Sequence, residues 1–232
     1  MSSGSTATKT RAEKVAAANA RTFQTWASIS FSERCFTSKN PKINGRNSLS
    51  FFIEKMELVD KAEFDYNGKR VPPQTVIKMT ASTFFEKDGE FEQLKFNIDL
   101  PLKDRSRICN VFLNRLAFAV SEKESNDLAW DGSCRLAVYE KDEKAKLFVS
   151  FFEDFEMAEA YQGVSTDFFP YSEQVGYFEN VPRPEKLLNK KGEPVMVDGR
   201  EAYDYTEFDR FYLELASDLC DKVNGFEFGD SE

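Results

Sequence analysis

The residues best suited to chemistry lie in one basic and aromatic stretch, residues 31–53 (FSERCFTSKNPKINGRNSLSFFI), which holds a single acid, Glu33. Single-stranded nucleic acid is bound by cations that neutralise phosphates and by rings that stack on bases, and such stacking suits any base. The stretch and the strand before it supply a candidate set of both kinds: Trp26, Arg34, Phe36, Lys39, Lys42 and Arg46. For each ring taken alone, the alternative is an ordinary place in the core.

A second basic segment precedes this set. Residues 1–22 carry the cations Lys9, Arg11, Lys14 and Arg21. Only Val15 offers a large apolar side chain there, so a helix would have little to bury. The segment is predicted to be a basic N-terminal arm, and Arg21 joins the nucleic-acid-binding set.

Several kinds of chemistry are excluded. The chain has no histidine, so it has no Ser-His or Cys-His pair and no imidazole base. Its four cysteines form no CxxC pair and are predicted to be reduced and mostly buried. Neither GxxxxGK[ST] nor GxGxxG occurs, so both nucleotide-binding fingerprints are missing. We therefore predict no cofactor, no metal and no catalysis.

Charge is distributed unevenly along the 232 residues, whose net charge is −9. Residues 1–46 hold eight Lys and Arg against two acids, whereas residues 151–232 hold seven against twenty. Such asymmetry is a hint of nucleic-acid or membrane contact through the basic part. No apolar run is long enough to cross a membrane, and the N-terminus lacks a secretory core. An intracellular location is expected, which includes the cytoplasm of an infected host cell.

The first two thirds of the chain read as strands with one helix. Residues 23–36 and 49–59 alternate apolar with polar side chains, and Asp88-Gly89 joins two β-rich runs as in a hairpin. Residues 103–120 have helical spacing, and residues 134–152 read as two further strands. Residues 66–74 contain Asn-Gly and two prolines and are predicted to be a loop.

The last third is less regular. Residues 153–204 are rich in Gly, Pro and aromatic rings and predict short strands or turns. A final amphipathic helix is predicted to start with Thr206 as its cap and to stop at Gly225. The predicted division is a basic arm (1–22), a β-rich core (23–152), an aromatic-rich extension ending in a helix (153–225) and a short acidic tail (226–232).

These features together predict an α+β fold: a mainly antiparallel sheet or an OB-like barrel core, with an internal helix and a C-terminal amphipathic helix. The layout resembles that of bacterial and phage single-stranded DNA-binding proteins, which join a basic, aromatic face to an acidic C-terminal tail. That resemblance implies a tail, here Glu227 to Glu232, that contacts replication proteins. The tail departs from the pattern because it is short and directly follows a helix.

Two other functions compete with DNA binding. A metal-dependent nuclease would use carboxylates, such as Glu153, Asp154, Glu156 and Glu159, or the pair Asp142 and Lys144. A structural or adaptor protein would dock on a polymerase or in a virion through the acidic, aromatic second half. The leading prediction is non-catalytic binding of single-stranded DNA in replication, recombination or transcription. Replication or transcription proteins are the expected protein partners, bound through the acidic half, and no membrane contact is expected. The oligomeric state and a viral source are left open.

Overall fold

The computed structural model of the chain describes residues 25–66, 68–87, 90–126, 130, 132–151 and 181–226. The described part is β-rich, with 48% of its residues in strands, and its main feature is a curled seven-stranded mixed sheet. Nine strands lie between residues 25 and 150: β1 Thr25–Ser30, β2 Cys35–Ser38, β3 Ser48–Lys61, β4 Phe64–Tyr66, β5 Lys69–Val71, β6 Gln74–Lys87, β7 Glu90–Pro101, β8 Ser133–Lys141 and β9 Lys144–Ser150.

The strand order of the sheet is β2-β1-β7-β6-β3-β8-β9. Its neighbours pair antiparallel except for β1 and β7, which run parallel. The prediction of a mainly antiparallel sheet is therefore confirmed. The parallel pair was not predicted, because a contact between residues 25–27 and 96–98 leaves no trace in local periodicity.

The predicted hairpin is the longest pairing in the sheet. β6 and β7 stay in register from Val76 and Pro101 to Lys87 and Glu90. The segment predicted to be a loop before it is instead partly a short hairpin of β4 and β5, which turns at Gly68 with φ of +73°. A glycine adopts that left-handed conformation without steric cost, so the Asn-Gly signal marked a real turn.

The internal helix begins as a π-helix, Arg105–Leu113, and continues as α1, Asn114–Asn126. Asp104 caps it, since its carboxylate accepts a hydrogen bond from the Arg107 amide. Where the two parts join, the Asn114 side chain of α1 donates to the Asn110 carbonyl of the π-helix over 3.2 Å. The prediction of a helix at residues 103–120 is confirmed.

The C-terminal helix, α2, spans Thr206–Gly225. Its stop at Gly225 is confirmed, but Thr206 does not cap it. Instead the Asp204 carboxylate accepts from both the amide and the hydroxyl of Thr206, at 2.9 and 2.6 Å. Phe208, Tyr212 and Leu219 of α2 pack into the same core as the sheet and the internal helix.

The sheet curls far enough for its two ends to approach each other. The turn between β1 and β2 brings Arg34 into an ion pair with Glu140 of β8. The guanidinium of Arg107 in the π-helix lies over the ring of Phe31, the residue that follows β1. The distance from the guanidinium carbon to the centroid of the Phe31 ring is 3.9 Å. The first contact joins the two ends of the sheet and the second joins the end of β1 to the internal helix, and the curled sheet has the form of a half-barrel.

Residues 181–204 contain four two-residue strands: β10 Glu185–Lys186, β11 Met196–Val197, β12 Arg200–Glu201 and β13 Tyr203–Asp204. β10 pairs with β13 and β11 with β12, which fits the expected short strands. Within the described ranges, no helix is both long and apolar enough to cross a membrane.

Candidate nucleic-acid interface

Trp26 lies on the sheet face that points away from the helices, called here the outer face. Its neighbour Ala27 belongs to the core beneath the helices, together with Ile98, which is opposite Ala27 on β7. Because side chains alternate along a strand, Trp26 points the other way. Trp26 is 43% exposed, which is unusual for a residue with so large an apolar side chain.

Two lysines hold their ammonium groups beside this ring. Lys61, at the end of β3, lies 5.2 Å from the Trp26 ring centroid, and Lys78 of β6 lies 5.9 Å from it. Both distances are those of a cation attracted to the negative face of an indole. The three side chains make a platform on the outer face that combines a stacking surface with positive charge.

Carboxylates beside the platform hold these cations. Lys61 forms an ion pair with Asp99, and Lys78 lies 3.7 Å from a carboxylate oxygen of Glu57. Glu57 also accepts a hydrogen bond from Lys55, which lowers its pKa together with the charge of Lys55 and the nearby Lys78. With Lys55 counted beside Lys61 and Lys78, three cations stand against Glu57 and Asp99, which leaves the platform and its ion-pair partners with a small positive excess.

The basic loop that follows β2, residues 39–47, is held in a defined conformation. The Asn40 side chain accepts from the Lys42 amide at 2.9 Å, and the Asn44 side chain accepts from the Ser38 amide at 3.1 Å. Ile43 anchors the loop, because its side chain is fully buried in the core. The Ser38 hydroxyl donates to the Trp26 carbonyl over 2.7 Å, which ties the start of the loop to the strand of the platform.

Lys42 and Arg46 of this loop converge on one ring. Their charged groups lie 5.5 and 4.9 Å from the ring centroid of Phe85, near the end of β6. Arg46 also donates from Nε to the Lys42 carbonyl over 2.6 Å. Gly45, between them, has φ of +81°, a conformation that favours glycine. The two cations are therefore placed by the fold rather than spread by a mobile loop.

The structure brings part of the predicted set together. Trp26 and Lys39 are adjacent across β1 and β2, because Lys39 follows Ser38, which is opposite Ala27. Lys42 and Arg46 lie further along the same loop. Arg34 lies at the other end of β2 and is engaged with Glu140. Arg21 lies outside the described residues.

Phe36 is a core residue, the alternative to a stacking surface for a ring of this type. Its side chain is 0% exposed and belongs to the core cluster, so in this structure it offers no surface to a base. The physical reason is the register of β2, which pairs Phe36 with Ile29 on the side that faces the helices. The candidate interface therefore has Trp26 as its ring and does not include Phe36.

Sequence reasoning missed Lys61 and Lys78. One local signal was present, since Lys78 stands between Ile77 and Met79, both of which are buried. That alternation turns Lys78 to the outer face. Its approach to Trp26 depends on the order of β1, β7 and β6, which local patterns do not contain.

Nothing in the described ranges gathers three or more His, Cys, Asp or Glu side chains as a metal site would. Asp142 lies with Glu143 at the exposed tip between β8 and β9, both with positive φ, and Lys144 begins β9. These are the features of a solvated hairpin turn. The other nuclease candidates, Glu153, Asp154, Glu156 and Glu159, lie outside the described residues.

Comparison with protein-family models, with curated proteins and with solved structures finds no match for this chain.

Proposed function

We propose that this protein binds single-stranded DNA, without strong sequence preference and without catalysis, in replication, recombination or transcription. The observation that carries the proposal is the platform: an exposed tryptophan on the outer face, with two ammonium groups within 6 Å of its ring. A base would stack on the free part of the indole while Lys61 and Lys78 attract the phosphates on either side of it.

The ion pairs on the platform are compatible with this role. Lys61 and Lys78 would exchange contact with Asp99 and Glu57 for contact with phosphates. The carboxylates keep the ammonium groups over the ring before the strand arrives, so little side-chain entropy remains to be lost on binding. They also limit the net positive charge, which disfavours indiscriminate attraction of other polyanions.

The OB-like character predicted from the sequence is part of the same proposal. The curled sheet with helices on one face and an exposed ring on the other supports it. OB-folds bind single strands across a sheet face and its flanking loops, which are the two features found here around Trp26.

Fluorescence anisotropy of a labelled oligo-dT tests the proposal directly. The measurement compares the single strand with a matched duplex at low and moderate salt, with Mg²⁺ present. We expect salt-sensitive binding of the single strand and an intact label. Cleavage of the label would instead indicate a nuclease, and no binding at low salt would contradict DNA binding altogether.

A second candidate, an adaptor that docks on a polymerase or in a virion, is favoured by one observation. Four large apolar side chains in residues 181–205 are 42–58% exposed: Leu187, Leu188, Met196 and Val197. Exposed apolar side chains grouped in one segment are typical of protein-binding surfaces. If this function holds, Leu188→Asp/Val197→Asp abolishes capture of a polymerase or coat component while leaving DNA affinity unchanged; an unchanged capture would exclude it.

A further inference from the structure

We infer that a DNA strand held at Trp26 crosses the sheet edge at β2 and reaches a second phosphate-binding subsite, Lys42 and Arg46, on the opposite side of the sheet. The inference rests on the proposed function and extends it. It specifies which DNA molecules are bound well: flexible single strands that are long enough to contact both Trp26 and the Lys42–Arg46 subsite.

The two clusters lie on opposite faces of the sheet. Trp26 pairs with Asn97 of β7, and Asn97 pairs with Thr80 of β6, so the three residues share the outer face. The Thr80 hydroxyl donates to the Asn97 side chain over 3.0 Å. Phe85 has the other parity on β6 and belongs to the core under the helices. Because Lys42 and Arg46 lie over Phe85, their charges are at the helix side of the sheet.

Lys39 lies between the two clusters. It leaves β2 directly after Ser38, the residue opposite Ala27, and its side chain is exposed. β2 is the edge strand, so a DNA strand that passes from Trp26 to Arg46 goes around this edge and past Lys39. Residues 39–47 contain three cations and no acid, so no carboxylate of the loop itself opposes the phosphates along that path.

The edge itself is closed to backbone pairing. The Phe36 amide donates to the Arg46 carbonyl at 2.7 Å, and the Gly45 amide donates to the Phe36 carbonyl at 2.8 Å. The loop thus occupies hydrogen-bonding groups that β2 would otherwise offer to another strand. What this edge presents outward is the side-chain charge of the loop, which suits a phosphate chain rather than an added β-strand.

A binding path that turns around a sheet edge discriminates between single-stranded and duplex DNA, because the two differ in bending stiffness. Duplex DNA has a persistence length of about 50 nm, far beyond the width of one domain, so it cannot turn around a sheet edge cheaply. A single strand bends freely and can contact both faces. A duplex would therefore reach one cluster at a time and gain nothing from the other.

The test compares two lengths of labelled oligo-dT, about 4 and about 16 nucleotides, with the wild-type chain and with Lys42→Gln/Arg46→Gln. We expect the double variant to lose roughly tenfold in affinity for the long strand and to lower its log affinity–log salt slope by about 1.4, since two phosphate contacts are removed. Affinity for the short strand, which occupies the Trp26 platform, and for a 16-base-pair duplex should change less than about twofold.

A matched control carries the same charge change elsewhere. Lys190→Gln/Lys191→Gln alters two exposed lysines near the short strands and should leave both lengths unaffected. Thermal unfolding of each variant shows whether the loop retains its fold. An equal loss for both lengths, or no loss for either, would overturn the crossing while leaving the platform in place. A wild-type chain that binds neither length would overturn the proposed function itself.

Discussion

At the scale of single residues, the two tryptophans show how environment sets a role. Trp130 is 5% exposed, donates from its indole to the Ser133 carbonyl at 2.9 Å and packs edge-on against Phe151. Trp26 is 43% exposed, and the charged groups beside its ring are the ammonium groups of Lys61 and Lys78. A structural tryptophan is buried with its N–H bonded, whereas a ring left exposed among cations suits a ligand.

The cations of the platform should set the salt dependence of binding. Replacement of both in Lys61→Gln/Lys78→Gln leaves Asp99 and Glu57 facing the strand, so the local charge changes from slightly positive to negative. We expect oligo-dT affinity to fall at least about tenfold and the salt slope to fall by roughly 1.4. Anisotropy titrations at several salt concentrations measure both quantities.

The Lys190→Gln/Lys191→Gln chain again serves as the control for net charge. An equal loss of affinity in this control would mean that overall charge, and not the platform, governs binding.

The buried thiols should make the free energy of unfolding depend on pH in the alkaline range. Burial raises the pKa of Cys109 to about 12 and that of Cys220 to about 11, against an ordinary value near 8.5 in the unfolded chain. Above about pH 8.5 the unfolded state loses thiol protons that the folded state keeps, so the free energy of unfolding falls as pH rises towards 12. Urea unfolding at about pH 8 and pH 10 should show a smaller fall for Cys109→Ala than for wild type. An identical fall in the two proteins would contradict a contribution of the Cys109 thiol to this loss of stability.

At the scale of elements, three strand edges are closed by other parts of the chain. The loop at Gly45 and Arg46 covers β2. Arg107 and Arg115 of the internal helix donate to the Ala145 and Val149 carbonyls of β9, at 3.3 and 2.5 Å. Beyond Phe52, where pairing with β8 ends, Asn224 of α2 is hydrogen-bonded to the backbone of Met56 on β3. Closed edges discourage strand-to-strand association, which leaves side chains to make contacts.

Asn224 should be the residue through which α2 covers β3. Its side chain accepts from the Met56 amide at 2.9 Å and donates to the Met56 carbonyl at 2.8 Å, as a neighbouring strand would. Asn224→Ala leaves both backbone groups without this partner, and we expect a loss of about 1–3 kcal/mol in the free energy of unfolding. Urea denaturation measures it. Ser217→Ala, an exposed position of the same helix, is the control, and equal stability of the two variants would refute this role.

Local patterns predicted the elements well and their assembly poorly. Alternation predicted β3 and one strand over residues 23–36, which the structure divides into β1 and β2 by a turn at residues 31–34. Asp88-Gly89 predicted the β6–β7 hairpin, and apolar spacing predicted both helices. The position of Phe36 was not predictable, because the four residues of β2 are too few to show a period. Of the platform, the sequence pattern contains only Trp26 as a candidate, because the two lysines come from strands joined to β1 through the parallel β1–β7 pair.

At the scale of the whole molecule, basic and acidic side chains of the described residues concentrate in different elements. The cations of residues 39–47 surround one sheet edge, beside Trp26. Acids outnumber cations in α2, where Glu207, Asp209, Glu214, Asp218 and Asp221 stand against Arg210 and Lys222. Under the proposed function, this negatively charged helix would repel a phosphate chain, and DNA would approach the β1–β2 end of the sheet instead.

The central claim is that DNA stacks on Trp26, and tryptophan fluorescence tests it most directly. The chain has only two tryptophans, and Trp130 is buried, so a change in emission on binding reports Trp26. Titration with oligo-dT at low salt should quench the emission, with the same midpoint as anisotropy. In Trp26→Phe the quenching should disappear while weaker binding persists, since a phenyl ring still stacks. Full binding with no change in wild-type emission would contradict the account.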